Sequence, residues 1–244
     1  LTARCRNGHT FCVRNERADS SRHKLWLARE PSAAEVIARL PQDIGQYREY
    51  VFCGFGEPTI RLDALLEVAK EIKARGGVTR INTNGQANLI HKRDVTGELA
   101  GAVDKINVSL NEATAEAYAA LCRPAFGEAA FAALQDFARK CAERGIDTWF
   151  SVVDIIGEEK IALCRAIAER CGVTLRVRPY IEWSADRERK PRRQQCRHGL
   201  LLLYGASCAL RQPPKPRCGR AGSSRPAPTA ATSVCAKSGR LSAR

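Results

Sequence analysis

The chain has 244 residues, 11 cysteines, no methionine and a formal net charge of +14. This length predicts one domain with a sizeable buried core. The longest apolar run, Leu200 to Leu203, is far shorter than the roughly 20 residues that a membrane-spanning helix needs. We find no secretory signal either, so we expect a cytoplasmic protein with reduced thiols and no membrane partner. The lack of methionine at position 1 also suggests that further residues precede Leu1.

The positive charge is concentrated near the end of the chain. Residues 1–184 contain 26 Lys and Arg against 24 Asp and Glu, whereas residues 185–244 contain 14 against 2. The second segment also holds six of the 11 prolines and shows no sustained period of 2 or 3.6. We therefore predict a folded domain over 1–184 and an irregular, disordered basic tail over 185–244, with room for one short helix at 199–210. No aromatic residues interleave with the arginines of the tail, so nucleic-acid binding ranks last among the functions considered.

Between Glu30 and Tyr180, predicted strands alternate with predicted helices. Ser32 and Glu35 form the capping box of a first helix that reaches Leu40. Apolar patterning then predicts strands at 50–53, 78–83, 105–110, 148–153 and 174–177, and helices at 62–72, 93–102, 131–141 and 161–171. This order predicts βαβ units and a parallel sheet. Five strands are visible, and we expect a first strand just before Leu1.

Polar residues follow the end of each predicted strand. They form the segments 53–59, 82–85 and 109–111, the single residue Asp154, and the segment 178–180. In a barrel built from βα units, loops at the carboxyl ends of the strands carry the functional groups. The sequence therefore predicts one functional mouth.

The N-terminal segment reads Cys5-Arg6-Asn7-Gly8-His9-Thr10-Phe11-Cys12, a Cys-x3-His-x2-Cys spacing. It resembles the Cys-x3-Cys-x-aromatic-Cys signature of the radical S-adenosylmethionine (radical SAM) superfamily, with His9 in the place of the middle cysteine. Gly56-Glu57-Pro58 resembles the end of that family's Gly-Gly-Glu-Pro motif, with Phe55 at the first glycine. The resemblance extends over residues 1–180. The segments 11–15, 53–59, 82–85, 88–91 and 121–124 are similar, more narrowly, to the TatD-associated radical SAM group.

The resemblance implies a partial (β/α)6 TIM-like barrel that binds a [4Fe–4S] cluster and S-adenosylmethionine, with a one-electron reductant such as flavodoxin or ferredoxin as partner. It implies an enzyme that cleaves S-adenosylmethionine reductively to a 5′-deoxyadenosyl radical, which abstracts hydrogen from a substrate that the resemblance does not identify. By the same resemblance, the metal ligands are Cys5, His9 and Cys12.

The remaining site residues are carried over from the same family motifs. Phe11 is expected near the adenine, and Gly56, Glu57 and Pro58 near the methionine amino group. Ser109 and Asn111 are expected to contact the ribose or a carboxylate, Asn84 to line the same cavity, and Arg178 to meet a carboxylate of cofactor or substrate.

His9 leaves three outcomes open. An imidazole ligand raises the potential of an iron–sulfur cluster, as in Rieske centres, and this would impair an enzyme that needs a strongly reducing cluster. The cluster could instead be lost, or His9 could be a sequence error. The alternative function is an inactive radical SAM-like barrel that acts as a binding protein.

The other cysteines are expected to play structural roles. We expect Cys141, Cys164 and Cys171 on apolar helix faces and Cys122 in a structural position. The four cysteines of the tail have spacings that fit no compact metal site, so we do not expect a second cluster.

Overall fold

The computed structural model describes residues 1–12 and 27–180, together with the backbone of residues 200–202. Its strands are β1 (Glu49–Phe52), β2 (Thr79–Thr83), β3 (Lys105–Ser109), β4 (Asp147–Val153), β5 (Thr174–Arg178) and β6 (Leu200–Leu202). Its α-helices in these ranges are α1 (Ala33–Ile37), α2 (Leu62–Ala74), α3 (Ala87–His91), α4 (Thr96–Ala100), α5 (Ala115–Cys122), α6 (Ala129–Glu143) and α7 (Glu158–Arg170). Short 3-10 turns cover Ile44–Gln46, Pro58–Arg61 and Asp154–Ile156.

The strands form one parallel sheet in the order β5-β4-β3-β2-β1-β6. Helices connect β1 to β5 in sequence, which is the βα alternation expected from the apolar patterning. The predicted fold class, an α/β partial barrel of TIM-like type, is confirmed. Because all strands run the same way, their carboxyl ends lie at one edge, where the loops 53–59, 84–86 and 110–114 follow.

The two faces of the sheet differ sharply in polarity. One face contributes fully buried apolar side chains to the core, among them Tyr50, Ile81, Ile106 and Phe150. Helices α2 and α6 cover this face, and their apolar positions recur at helical spacing. Cys141 and Cys164 are buried in this layer with Cys171 nearby, as predicted. The opposite face is polar and carries Asn82, Asn107 and Trp149 side by side in register.

Helix α5 was not predicted from the sequence. Its eight residues are mostly alanine and small side chains, so they show no strong amphipathic pattern. Local signals define its ends instead: the Thr114 side chain accepts a hydrogen bond from the Ala117 amide at 3.2 Å, and Arg123 ends the helix in a left-handed conformation. The helix predicted at 93–102 is present as the shorter α4, and α3, which precedes that range, was not predicted either.

Strand β6 corrects two expectations about the end of the chain. Residues 200–202 pair in parallel with β1, so the segment after residue 184 is not irregular throughout, and part of the range 199–210, where a short helix was expected, is a strand. A run of four leucines is too short for a stable helix but long enough for an edge strand, and β1 offers an edge for pairing. The rest of the predicted tail lies outside the described residues. Among the described strands, β6 lies at the sheet edge next to β1.

No helix within the described ranges combines the length and apolar character needed to cross a bilayer.

Candidate functional site

The segment that carries Cys5, His9 and Cys12 is held by backbone hydrogen bonds to the end of α5. The Gly8 amide donates to the Cys122 carbonyl at 3.0 Å, and the Thr10 amide donates to the Leu121 carbonyl at 3.0 Å. In return, the Ala125 amide donates to the Arg6 carbonyl at 2.8 Å. Asn7 and Pro124 form an isolated antiparallel bridge between these bonds. The 121–124 motif found in the sequence therefore serves as the dock for the cysteine segment.

A second join links the cysteine segment to the loop after β1. The Glu57 amide donates to the Arg4 carbonyl at 2.8 Å. A Cβ atom added at Gly56 would lie 2.7 Å from the Arg4 oxygen and closer still to the Thr2 oxygen. Only glycine permits this approach of two backbones. The join places Cys5 one residue from the Gly56–Glu57 contact, which is the proximity expected from the sequence motifs.

The Glu57 carboxylate is fully engaged in holding two loops together. Its Oε1 accepts from the Thr59 amide at 3.1 Å and from the Thr59 and Thr83 hydroxyls at 2.7 Å each. Its Oε2 accepts from the Asn84 amide at 2.8 Å. Burial raises the pKa of this carboxyl, and the four donors oppose that rise by stabilising the ionised form. The side chain thus connects the loop after β1 to the turn after β2.

Three buried residues that the sequence did not single out form a polar network beneath the cysteine segment. Gln86 Nε2 donates to Asn7 Oδ1 at 2.9 Å and to the Tyr118 hydroxyl at 3.1 Å. Asn7 Nδ2 contacts the same hydroxyl at 3.3 Å and His9 Nε2 at 3.5 Å. Desolvation raises the pKa of Tyr118, so its hydroxyl stays protonated. Asn7 lies inside the cysteine motif, and this position was the one available signal, because nothing in the sequence pattern marks Gln86 or Tyr118.

His9 lies in a desolvated environment on the same segment. Burial lowers its pKa, which favours the neutral imidazole that a metal requires of a histidine ligand. Its ring centroid is 5.3 Å from that of Phe11. Phe11 and Cys12 are partly exposed, and the Cys12 amide donates to the His9 carbonyl at 3.2 Å, which closes the turn.

The other predicted site residues follow the ends of the strands. Asn84 is 5% exposed, its Oδ1 accepts from the Gln86 amide at 3.0 Å, and its Nδ2 has no hydrogen-bond partner among the described residues. Ser109 ends β3, and Arg178 ends β5 with its side chain exposed. Asn111 has a φ of 62°, and its Nδ2 contacts the Cys122 sulfur at 3.5 Å, so its amide is used in local structure. Pro58 is buried at the start of a 3-10 turn.

The cysteines that are candidate ligands differ from the structural cysteines in their exposure to solvent. Within the described part of the chain, Cys5, Cys12 and Cys53 are partly exposed and the other four cysteines are buried. Burial raises the pKa of Cys122 to about 12 and that of Cys164 to about 11, which makes both poor ligands. Cys5 lines a cavity of about 560 Å³ together with Arg4, Arg6 and Glu30, a size that suits a small ligand.

The residue types on the cysteine segment suit an iron–sulfur cluster. In the described ranges, no three His, Cys, Asp or Glu side chains are gathered closely enough for one ion. In a cubane cluster each protein ligand binds a different iron, so its ligands stand further apart than those of a mononuclear site. Two accessible thiols and a neutral imidazole on one short segment are ligand types that iron–sulfur clusters accept.

Comparisons with known proteins bear on the family and the fold of this chain. Among curated proteins, none matches the sequence significantly. The solved structure of TYW1 with a lysine-pyruvate adduct bound is similar over 73% of this chain and 62% of its own, with 14% identity and a TM-score of 0.50. Streptococcus suis SuiB is similar over 72% of this chain and 43% of its own, with 16% identity and a TM-score of 0.49.

A radical SAM methyltransferase from Sphaerobacter thermophilus is similar over 73% of this chain and 64% of its own, with 17% identity and a TM-score of 0.43. At these identities the TYW1 likeness supports the fold alone, and this chain spans less than two thirds of TYW1, SuiB and the methyltransferase. The family comparison is more direct, because the profile of the radical SAM superfamily matches residues 1–164, which include the whole cysteine segment and the Glu57 loop. The chain belongs to the radical SAM superfamily.

Proposed function

We propose that this chain is a radical SAM enzyme that holds a [4Fe–4S] cluster through Cys5, His9 and Cys12 and binds S-adenosylmethionine beside it. When bound, the two groups supply one-electron cleavage of a carbon–sulfur bond and a 5′-deoxyadenosyl radical. The observation that carries the proposal is the double anchoring of the cysteine segment, to the Gly56–Glu57 loop on one side and to residues 121–125 on the other. A segment held at both sides presents its ligands with little loss of conformational entropy on binding.

Different residues of the chain have different roles in such a site. Cys5 and Cys12 offer thiolates, and His9 offers a neutral nitrogen because burial lowers its pKa. Since the Glu57 carboxylate is occupied by four donors, we assign the amino-group contact to the backbone around Gly56 and keep Glu57 as the support of that loop. The Asn84 Nδ2 group is the buried donor best suited to a cofactor oxygen.

His9 favours a second candidate, an inactive barrel that binds S-adenosylmethionine or a partner without radical chemistry. A neutral imidazole in place of an anionic thiolate stabilises the oxidised cluster less and raises the reduction potential. A less reducing cluster transfers an electron to the sulfonium less readily, so we expect weak activity from this chain. Three further parts of the proposal are supported by the sequence alone. They are membership of the TatD-associated group, a flavodoxin or ferredoxin partner, and a cytoplasmic location.

The test is anaerobic reconstitution of the full chain with iron and sulfide, followed by iron analysis and EPR of the reduced protein. We expect His9→Cys to bind more iron than the wild type and to release more 5′-deoxyadenosine. Cys12→Ser should lose the cluster, whereas the matched control Cys53→Ser, a partly exposed thiol outside the ligand set, should keep it. A cluster in His9→Cys but not in the wild type would favour the inactive candidate. Failure of both to assemble a cluster would refute the proposal.

A further inference from the structure

The polar face of the sheet lies opposite the helices. It is formed by alternate residues of β1 to β5, which pair in register. Most of them are polar or charged, including Asp147 opposite Lys105, whereas Val51 and Val153 are apolar. Trp149 is only 3% exposed, yet it is not part of the hydrophobic core under the helices. In a barrel this face is the inner one, and it ends at the loops of the proposed site.

The three arginines of the polar face differ in their partners. Arg80 is committed to internal partners, because its Nε lies 2.6 Å from Glu49 Oε2 and its Nη1 donates to Asn82 Oδ1 at 3.0 Å. Arg176 and Arg178, in contrast, form no ion pair with any residue in the described ranges. They stand two residues apart on β5, so both side chains leave the same face of the strand. The polar face therefore has a surplus of positive charge at its β5 edge.

Trp149 orients the first of these cations. The Arg176 Cζ atom lies 3.7 Å from the centroid of the Trp149 ring. The Arg80 Cζ atom, from a strand on the other side of β4, lies 5.9 Å from the same ring. Stacking engages the flat face of a guanidinium and leaves the N–H donors in its plane available to a ligand. Arg176 is thus ordered without having its hydrogen-bonding capacity used.

Two further features of the same rows point to a ligand. Ser109, Ser151 and Arg176 are direct neighbours across three strands, so two hydroxyls stand in line with the guanidinium. One row below, beside Trp149, Asn107 is 5% exposed and its Oδ1 has no partner among the described residues. Hydroxyls and a guanidinium are donors for an oxyanion, whereas Asn107 Oδ1 requires an N–H or O–H donor.

We propose that the polar face binds a substrate with an anionic oxygen group, either a carboxylate or a phosphate, through Arg176 and Arg178. A hydroxyl or amino group of the same molecule donates to Asn107 Oδ1. This inference rests on the proposed function in that it takes the polar face as the substrate side. It adds the chemical class of the substrate, an acid that also carries a hydrogen-bond donor.

The experiment titrates the reconstituted full chain with inorganic phosphate and, separately, with malonate, followed by calorimetry. A background with Trp26→Phe and Trp183→Phe leaves Trp149 as the one tryptophan, so its fluorescence reports binding beside the Arg176 stack. We expect Arg176→Gln to weaken binding by about tenfold, the effect of losing one charged hydrogen bond. Arg178→Gln should weaken it less, and Arg165→Gln, an exposed arginine on α7, should leave it unchanged.

The outcomes of these titrations identify the chemical class of the substrate. They also distinguish a failure of this inference from a failure of the proposed function. Tighter binding of phosphate supports a phosphorylated substrate, and tighter binding of malonate supports a carboxylic acid. Equal affinities of the wild type and Arg176→Gln, or displacement of the probe by S-adenosylmethionine, would overturn the inference, the latter because it assigns the two arginines to the cofactor. Anion binding that persists in a chain producing no 5′-deoxyadenosine would defeat the proposed function and leave this inference standing.

Discussion

Replacing Gly56 by alanine should lower the free energy of unfolding by about 2–4 kcal/mol and reduce iron binding. The new Cβ atom would lie 2.7 Å from the Arg4 oxygen, where a relaxed carbon–oxygen contact is about 3.3 Å, and closer still to the Thr2 oxygen. Both obstacles are backbone carbonyls, so the cysteine segment must move away. Overpacking of this kind costs about 1–3 kcal/mol. The movement also breaks the 2.8 Å bond from the Glu57 amide to Arg4, which adds about 1 kcal/mol.

Urea unfolding at a constant m-value measures this loss, and iron analysis after reconstitution measures the effect on the site. Gly97→Ala is the matched control. Gly97 lies inside α4, and the nearest atom to an added Cβ would be Arg144 Cζ at 3.8 Å. Alanine there should be neutral or stabilising by up to about 1 kcal/mol, because a helix interior favours it over glycine. If Gly56→Ala unfolds at the same urea concentration as the wild type and binds the same iron, the backbone join does not support the site.

Two further predictions concern the Glu57 carboxylate. Thr83→Val removes the hydroxyl that donates to Oε1 at 2.7 Å and should cost about 1–2 kcal/mol in urea unfolding, whereas Thr83→Ser keeps the donor and should cost less. Burial raises the pKa of Glu57 above its ordinary 4.5, so the native state holds this proton more tightly than the unfolded chain. Its contribution to stability is therefore full below the unfolded pKa and declines as the pH rises from 4.5 through the folded pKa. Urea titrations of wild type and Glu57→Gln across that range should show this decline in the wild type alone, and parallel curves would contradict it.

Much of the fold could be predicted because its signals are local and periodic. Short apolar runs rich in β-branched residues marked β1 to β5, and spacing of 3 and 4 residues marked α2, α6 and α7. Helix α5 was missed because alanine gives almost no amphipathic contrast. Strand β6 was missed because a strand at a sheet edge depends on its partner, here β1, which lies about 150 residues earlier in the chain.

The site was predicted as a set of residue types, and the structure adds how they are held. The motif indicated that Glu57 belongs near the cysteine segment, but its spacing could not reveal that both carboxylate oxygens are occupied by neighbouring loops. Asn111 read as a polar strand-end group, whereas its amide contacts the Cys122 sulfur. The network of Gln86 and Tyr118 joins residues from distant elements, and only packing brings them together.

The anchoring of the cysteine segment also explains why one substitution can test the chemistry of position 9. The bonds that dock the segment run through the backbone of Arg6, Gly8 and Thr10, and the Glu57 join runs through the backbone of Arg4. A cysteine at position 9 would meet the same backbone anchors as His9 does. The fold of the segment should therefore survive His9→Cys, and a difference in cluster content or potential between the two chains reports the ligand rather than the scaffold. If position 9 lay outside the ligand set, His9→Cys would leave both the iron content and the EPR spectrum of the reduced protein unchanged.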